Sequence, residues 1–186
     1  MRRAPALGLA TALLLGTLVT GCTSSTKEEP MPTEIPSKPA AGADLACGMD
    51  RVDVEAAMGL EIGRVEGDLE TADADGKREC DIWPTDTSLV DGAMVFVSVL
   101  PASSTEGQKL RAEVDGTATG VTEPSVRYTD LDGAAWSGSV GASSVVFVGD
   151  QVVALTSTWK GDGRDPLKDL PALSSQVAAS TGLAGS

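Results

Sequence analysis

Two short stretches set paired carboxylates beside a glycine, Asp73-Ala74-Asp75-Gly76 and Asp130-Leu131-Asp132-Gly133, and such pairs can grip calcium. Neither continues as an EF-hand loop. The twelfth position, where a bidentate glutamate is needed, falls on Ile82 or Ser139, and the first holds Thr71 or Tyr128. Asp-Gly turns account for both stretches more simply. Ser157-Thr158-Trp159-Lys160 spells the S-x-x-K dyad of serine acyl-transfer enzymes, but its S-D-N and K-T-G companions are missing and the local pattern is a strand. The chain has no histidine, which removes the Ser-His-Asp triad, the commonest general base and the commonest metal ligand together. Two-carboxylate glycoside hydrolysis stays open among 27 acidic residues, yet no apolar pocket marks a pair. The expectation is a protein without catalytic residues, metal or cofactor.

Aromatic side chains offer recognition instead. In the extended stretch Glu79 to Pro84, Cys80 and Ile82 point to one face, so Trp83 shares the other with Glu79 and Asp81. A ring edged by carboxylates is a platform for sugars, peptides or cationic groups, which makes Trp83 and Asp81 the candidate binding residues. The plainer alternative packs Trp83 under a helix or loop. Trp136 and Trp159 have small or apolar same-face neighbours and are expected to be buried.

Three cysteines do different work. Cys22 ends an apolar run, Ala6 to Val19, that follows Arg2 and Arg3 and is too short to span a bilayer, so it reads as a cleavable signal. Val19-Thr20-Gly21-Cys22 resembles the bacterial lipobox. That resemblance implies diacylglycerol on the Cys22 thiol and cleavage between Gly21 and Cys22, the two acyl chains giving stable membrane attachment. The plainer alternative is an ordinary secretory signal with an accidental cysteine. Residues 1–21 are thus the expected signal peptide and 22–43 the expected lipidated cysteine plus flexible Ser/Thr/Pro-rich tether. As random coil that tether would reach roughly 25 Å, and roughly 65 Å as polyproline II. Cys47 and Cys80, an even pair in an exported domain, are expected to form a disulfide.

The elements that must position these residues occupy 44–186. Asp50 is a good N-cap, with Met49 and Val54 as a hydrophobic staple and Gly59 as the stop, giving a two-turn helix. Leu60–Leu69 and Glu79–Pro84 look extended. Ala93–Leu100 reads as a central strand covered on both sides, with Ala93, Val95, Val97 and Val99 on one face and Met94 and Phe96 on the other. Ser103 to Glu106 resembles a capping box before a helix carrying Leu110 and Val114. Four strand patterns follow, at Ser125–Thr129, Ala134–Gly138, Ser143–Val148 and Gln151–Trp159, the last two joined by a Gly149-Asp150 type II′ turn. A last helix carries Leu170, Leu173 and Val177 with Pro171 in its first turn. Strands in runs with helices between them predict an α+β fold, an antiparallel twisted sheet with helices packed mainly on one face. The order helix-strands-helix-strands-helix also fits two similar halves.

Composition bounds the rest. With 14 basic against 27 acidic residues the chain carries −13, a field that repels phosphate backbones, so nucleic acid is excluded as a partner. The lipobox, the tether, Cys47-Gly48, the helix ending Met58-Gly59, Cys80-Asp81-Ile82-Trp83 and the last helix together resemble a family of actinobacterial cell-envelope lipoproteins labelled domain of unknown function 3558. The resemblance implies an extracytoplasmic lipoprotein, with no catalytic residues to carry over. The expected function is a non-enzymatic binding domain, lipid-anchored on the outer face of the cytoplasmic membrane. Its expected partner is an envelope protein, a glycan or a small ligand. The second reading is a lipid or small-ligand carrier, which requires an apolar cavity under the sheet.

Overall fold

A computed structural model describes residues 34–88, 92–119, 124–138 and 141–183. The expected signal peptide, residues 1–21, and the expected lipidation site Cys22 lie outside the described residues.

The described chain opens with a small hairpin, β1 (Leu45–Ala46) and β2 (Met49–Asp50). The two-residue loop between them is Cys47-Gly48, both with positive φ, 50° and 77°. These are the signs of a type I′ turn, with glycine at the second central position. The turn aims Cys47 at Cys80, and the two form a disulfide with a Cα–Cα distance of 5.5 Å. Helix α1 (Arg51–Met58) starts where Asp50 accepts the Val52 N–H and stops at left-handed Gly59, as the sequence predicts.

Strands β3 (Ile62–Asp68), β4 (Arg78–Pro84) and β5 (Val95–Pro101) follow as an antiparallel run. After α2 (Thr105–Asp115) comes a second run, β6 (Val126–Arg127), β7 (Asp132–Ser137), β8 (Ala142–Val148) and β9 (Gln151–Ser157). The runs join through the β5–β9 pair, giving one seven-stranded antiparallel sheet in the order β3-β4-β5-β9-β8-β7-β6. The β8–β9 turn places its positive φ on Gly149, as a type II′ turn requires. Helix α3 (Pro166–Ser180) closes the fold against β7, β8 and β9. The architecture is α+β, with α1 and α3 on one sheet face.

Between that face and the two helices the interior is filled by Met49, Met58, Ile82, Met94, Leu155 and Leu170, all fully buried. The opposite face has its own smaller cluster, in which Leu110 and Val114 of α2 cover Leu100, Val145, Phe147 and Val152. Helix α2 therefore packs on the other side from α1 and α3, and the two strand runs are not equivalent halves.

Several sequence expectations shift. Strand β5 is central, but it is not covered along its whole second face: Phe96 is 39% exposed, because α2 reaches only the Leu100 end. Met94 does not share Phe96's face but joins the core under α1 and α3. The α2 cap is Ser104, not Ser103. The Ser104 hydroxyl accepts the Gly107 N–H at 3.0 Å while donating to the Pro101 carbonyl at 2.7 Å. Helix α3 begins at Pro166 with Asp165 as cap, so Pro171 sits in its second turn rather than its first. The strand expected over Ser125–Thr129 contracts to Val126–Arg127.

The folded body also begins before Asp44. Ile35 is 4% exposed within the main core, and the Pro36 carbonyl accepts from Gln176 Nε2 at 2.8 Å. Residues 34–43, expected to be the end of the tether, thus form a strap laid on the body, while 22–33 fall outside the described residues.

Candidate functional site

The sheet face opposite α1 and α3 is half covered. Helix α2 is pinned over one part of it by two arginines. Arg111 makes a bidentate pair with Asp132, 2.7 and 2.8 Å, and lies over the Phe147 ring at 3.4 Å from its centroid. The guanidinium holds the Asp132 carboxyl below the usual carboxylate range. Arg127 donates to the Val114 carbonyl near the helix end. The other part of the face stays open, and strand register orders its side chains. Reading directly across β3, β4, β5, β9, β8 and β7, the row is Glu66, Asp81, Phe96, Thr156, Ser143, Trp136.

At the Trp136 end of this row lies an open groove of about 600 Å3. Its floor is Ser143 and Val145 of β8 with Ala154 and Thr156 of β9, and its walls are half-buried Trp136 on one side and Leu110 and Glu113 of α2 on the other. The Ser143 and Thr156 hydroxyls are 3.1 Å apart and hydrogen-bonded. Ser125 closes one end, its hydroxyl accepting the Ser137 N–H at 3.0 Å. Glu113 is the only titratable group among the described lining residues. Among the described residues the two hydroxyls are hydrogen-bonded to each other and not to a base that would activate either as a nucleophile.

Trp83 and Asp81 share a face, as alternation predicts, but Trp83 is not an open platform. Arg64, directly opposite on β3, lies over the ring at 4.1 Å from its centroid, and Trp83 is half-buried with its Nε1 shielded and lacking a hydrogen-bond partner. Burial pushes the Asp81 carboxyl up, with Glu79 and Glu66 adding to the effect. The expected burial of Trp136 and Trp159 is likewise corrected: both are half-buried, and Trp136 walls the groove. Sequence reasoning missed Trp136, Ser143, Thr156 and Glu113 because they meet only through the β7–β8–β9 register and the side on which α2 packs. The one local signal was the β5 alternation, which placed Phe96 off the Val95–Val99 face.

The other motifs are occupied by the fold. Asp73 Oδ1 accepts the N–H groups of Asp75 and Lys77, at 2.9 and 2.8 Å, so the first D-x-D-G stretch is a turn held by its own carboxylate. In the second, Asp132 belongs to Arg111. Among the described residues no three histidine, cysteine, aspartate or glutamate side chains gather as a metal would require. Ser157 is buried, and its hydroxyl donates to the Trp159 carbonyl. A larger cavity, about 1120 Å3, lies between the strap and the start of α3. Its wall is the point where the described chain begins, and its Arg164 and Asp169 are paired with each other at 2.6 Å.

No known family model matches the chain, and no curated protein matches it.

Proposed function

We propose that the chain is an exported lipoprotein, cleaved before Cys22, that holds a non-enzymatic binding domain at the outer face of the cytoplasmic membrane. The charge, length and lipobox of residues 1–22 support the anchor, and kinship with the actinobacterial lipoproteins of unknown function belongs to the same proposal. Among the described residues no helix is long and apolar enough to cross a membrane, so in this reading acyl chains do the mooring.

The observation that carries the binding role is the groove between α2 and the β7–β8–β9 surface: concave, of ligand size, and walled by an aromatic ring with polar groups at fixed positions. It takes the place of Trp83 and Asp81 as the binding surface. A lipid carrier would need an apolar cavity under the sheet, and the space between the sheet and helices α1 and α3 is filled by methionine, leucine and isoleucine side chains.

The anchor is tested by growing expressing bacteria with radiolabelled palmitate. The full chain is expected to carry label and to sediment with membranes, and Cys22→Ala is expected to lose both. An unlabelled chain that keeps residues 1–21 would overturn the proposal.

A further inference from the structure

We propose that the groove at Trp136 takes a neutral, polyhydroxylated ligand, a short glycan chain, laid across the strands from Trp136 toward Phe96. This rests on the groove being the binding surface, and adds the chemistry of what enters it.

Charge restricts the ligand first. No lysine or arginine is among the described lining residues, Glu113 stands in the wall, and the whole chain carries −13. A phosphate, a sulfate or a sugar acid would be repelled both locally and by the surrounding field. The hydroxyls restrict it further. Ser125 and the hydrogen-bonded Ser143–Thr156 pair can still both donate and accept, while Thr158, whose proton goes to the Ala93 carbonyl at 2.9 Å, and Glu113 only accept. That mixture suits a ligand whose own groups are hydroxyls, which also play both parts. A cationic ligand would draw on one carboxylate here, while the denser acids, Glu66, Asp81 and Glu79, stand two to four strands away on β3 and β4.

The aromatics supply the apolar half. The electron-rich face of an indole attracts the weakly positive C–H edges of a sugar ring, which no charged or purely polar wall can do. The second ring sets the length. Phe96, Thr156, Ser143 and Trp136 are neighbours in register on four consecutive strands, so the two aromatic positions are separated by three strand spacings, about 14 Å. That exceeds a single sugar ring. Phe96 is 39% exposed, an unusual position for a phenylalanine on a central strand, and a chain of sugars reaching it would cover it.

The experiment is titration calorimetry on the full chain in a sugar-free detergent. The probes are the neutral trisaccharides cellotriose, maltotriose, mannotriose and triacetylchitotriose, with glucose, trigalacturonate and trilysine for comparison. At least one neutral trisaccharide is expected to bind, more tightly than glucose, and trigalacturonate is expected not to. Trp136→Ala should weaken that binding at least about tenfold, and Phe96→Ala should weaken the trisaccharide without changing glucose. Because Trp136 also packs on the α2 cluster, Ser143→Leu, which fills the groove from its floor, serves as the second variant and should abolish binding. Failure of all four neutral trisaccharides, or equal binding by Ser143→Leu, overturns the proposal. If trilysine binds instead and Ser143→Leu removes it, the ligand class falls and the groove stands. If a trisaccharide binds unchanged in both groove variants, the groove itself falls as the site.

Discussion

Tyr128 is the chain's single tyrosine, and it shows how the polar end of a half-buried ring is satisfied. Its hydroxyl donates to Ser144 Oγ at 2.8 Å, and Ser144 meets Ser174 of α3 at 3.0 Å, so a line of hydroxyls ties the loop before β7 to β8 and α3. Burial pushes the phenol up to about 12, because the phenolate would lose its water; the Ser144 bond opposes this more weakly. The folded value lies above the unfolded one, about 10, so Tyr128 contributes stability that is complete below pH 10 and lost as pH rises toward 12. Absorbance at 295 nm should therefore stay flat to about pH 11 in the native protein and rise near pH 10 in urea. A native transition near pH 10 would mean the ring is solvated. Tyr128→Phe should cost about 1 kcal/mol, since one hydrogen bond is lost and Ser144 keeps Ser174.

At the scale of elements the strap and α2 carry the argument. Gln176 of α3 is fully buried and joins four segments: it accepts the Asp50 N–H at 2.8 Å and donates to Asp53 at 2.7 Å and to the Pro36 carbonyl. Asp53 is pushed up by burial, an effect eased by the Gln176 bond, increased by Asp50 and eased again by Arg164. A raised carboxyl stabilises the fold at pH below its unfolded value and loses that contribution as pH rises through the folded one. Gln176→Leu leaves the Asp50 N–H and the Asp53 carboxylate without this partner, and should lower stability by about 3 kcal/mol at pH 8. The loss should shrink toward pH 4, as the raised Asp53 carboxyl takes up its proton. Urea unfolding at the two pH values checks this, and an equal loss at both would exclude Asp53 as the cause. These contacts also show what a sequence can and cannot reveal. Asp50 and Gly59 were legible as helix ends because a cap is decided within four residues. Ser104 competed with Ser103 within one residue, and the nearby Pro101 carbonyl favoured it. The strap was illegible because Ile35 sits among Pro, Lys and Glu and gains its burial from α3, some 140 residues on. The groove was illegible for the same reason, since the pairing of Trp136 with Ser143, and of Ser143 with Thr156, is a fact of register.

Across the whole molecule, stability must come from few rings. Aromatics are 3% of residues, and the main core is built from aliphatic side chains, methionines and the buried Cys47 and Cys80. The disulfide does more than fill space. It binds the β1–β2 hairpin, and through it α1 and the strap, to β4, whereas the β5–β9–β8–β7 part of the sheet holds together without it. Closing a loop of 33 residues removes freedom from the unfolded chain worth roughly 4 kcal/mol, which is a large fraction of the 5–15 kcal/mol typical of a domain. Cys47→Ala/Cys80→Ala should therefore unfold in urea with a free energy about 4 kcal/mol lower and a steeper dependence on denaturant, because the uncrosslinked chain exposes more surface. Hydrogen exchange on that variant should rise first in α1 and β3, inside the opened loop, before it rises in β8 and β9. Uniform acceleration over the sheet would show that the crosslink supports the fold as one unit. A free-energy loss below about 1 kcal/mol would show that packing of the hairpin, and not the bond, holds this end of the sheet together.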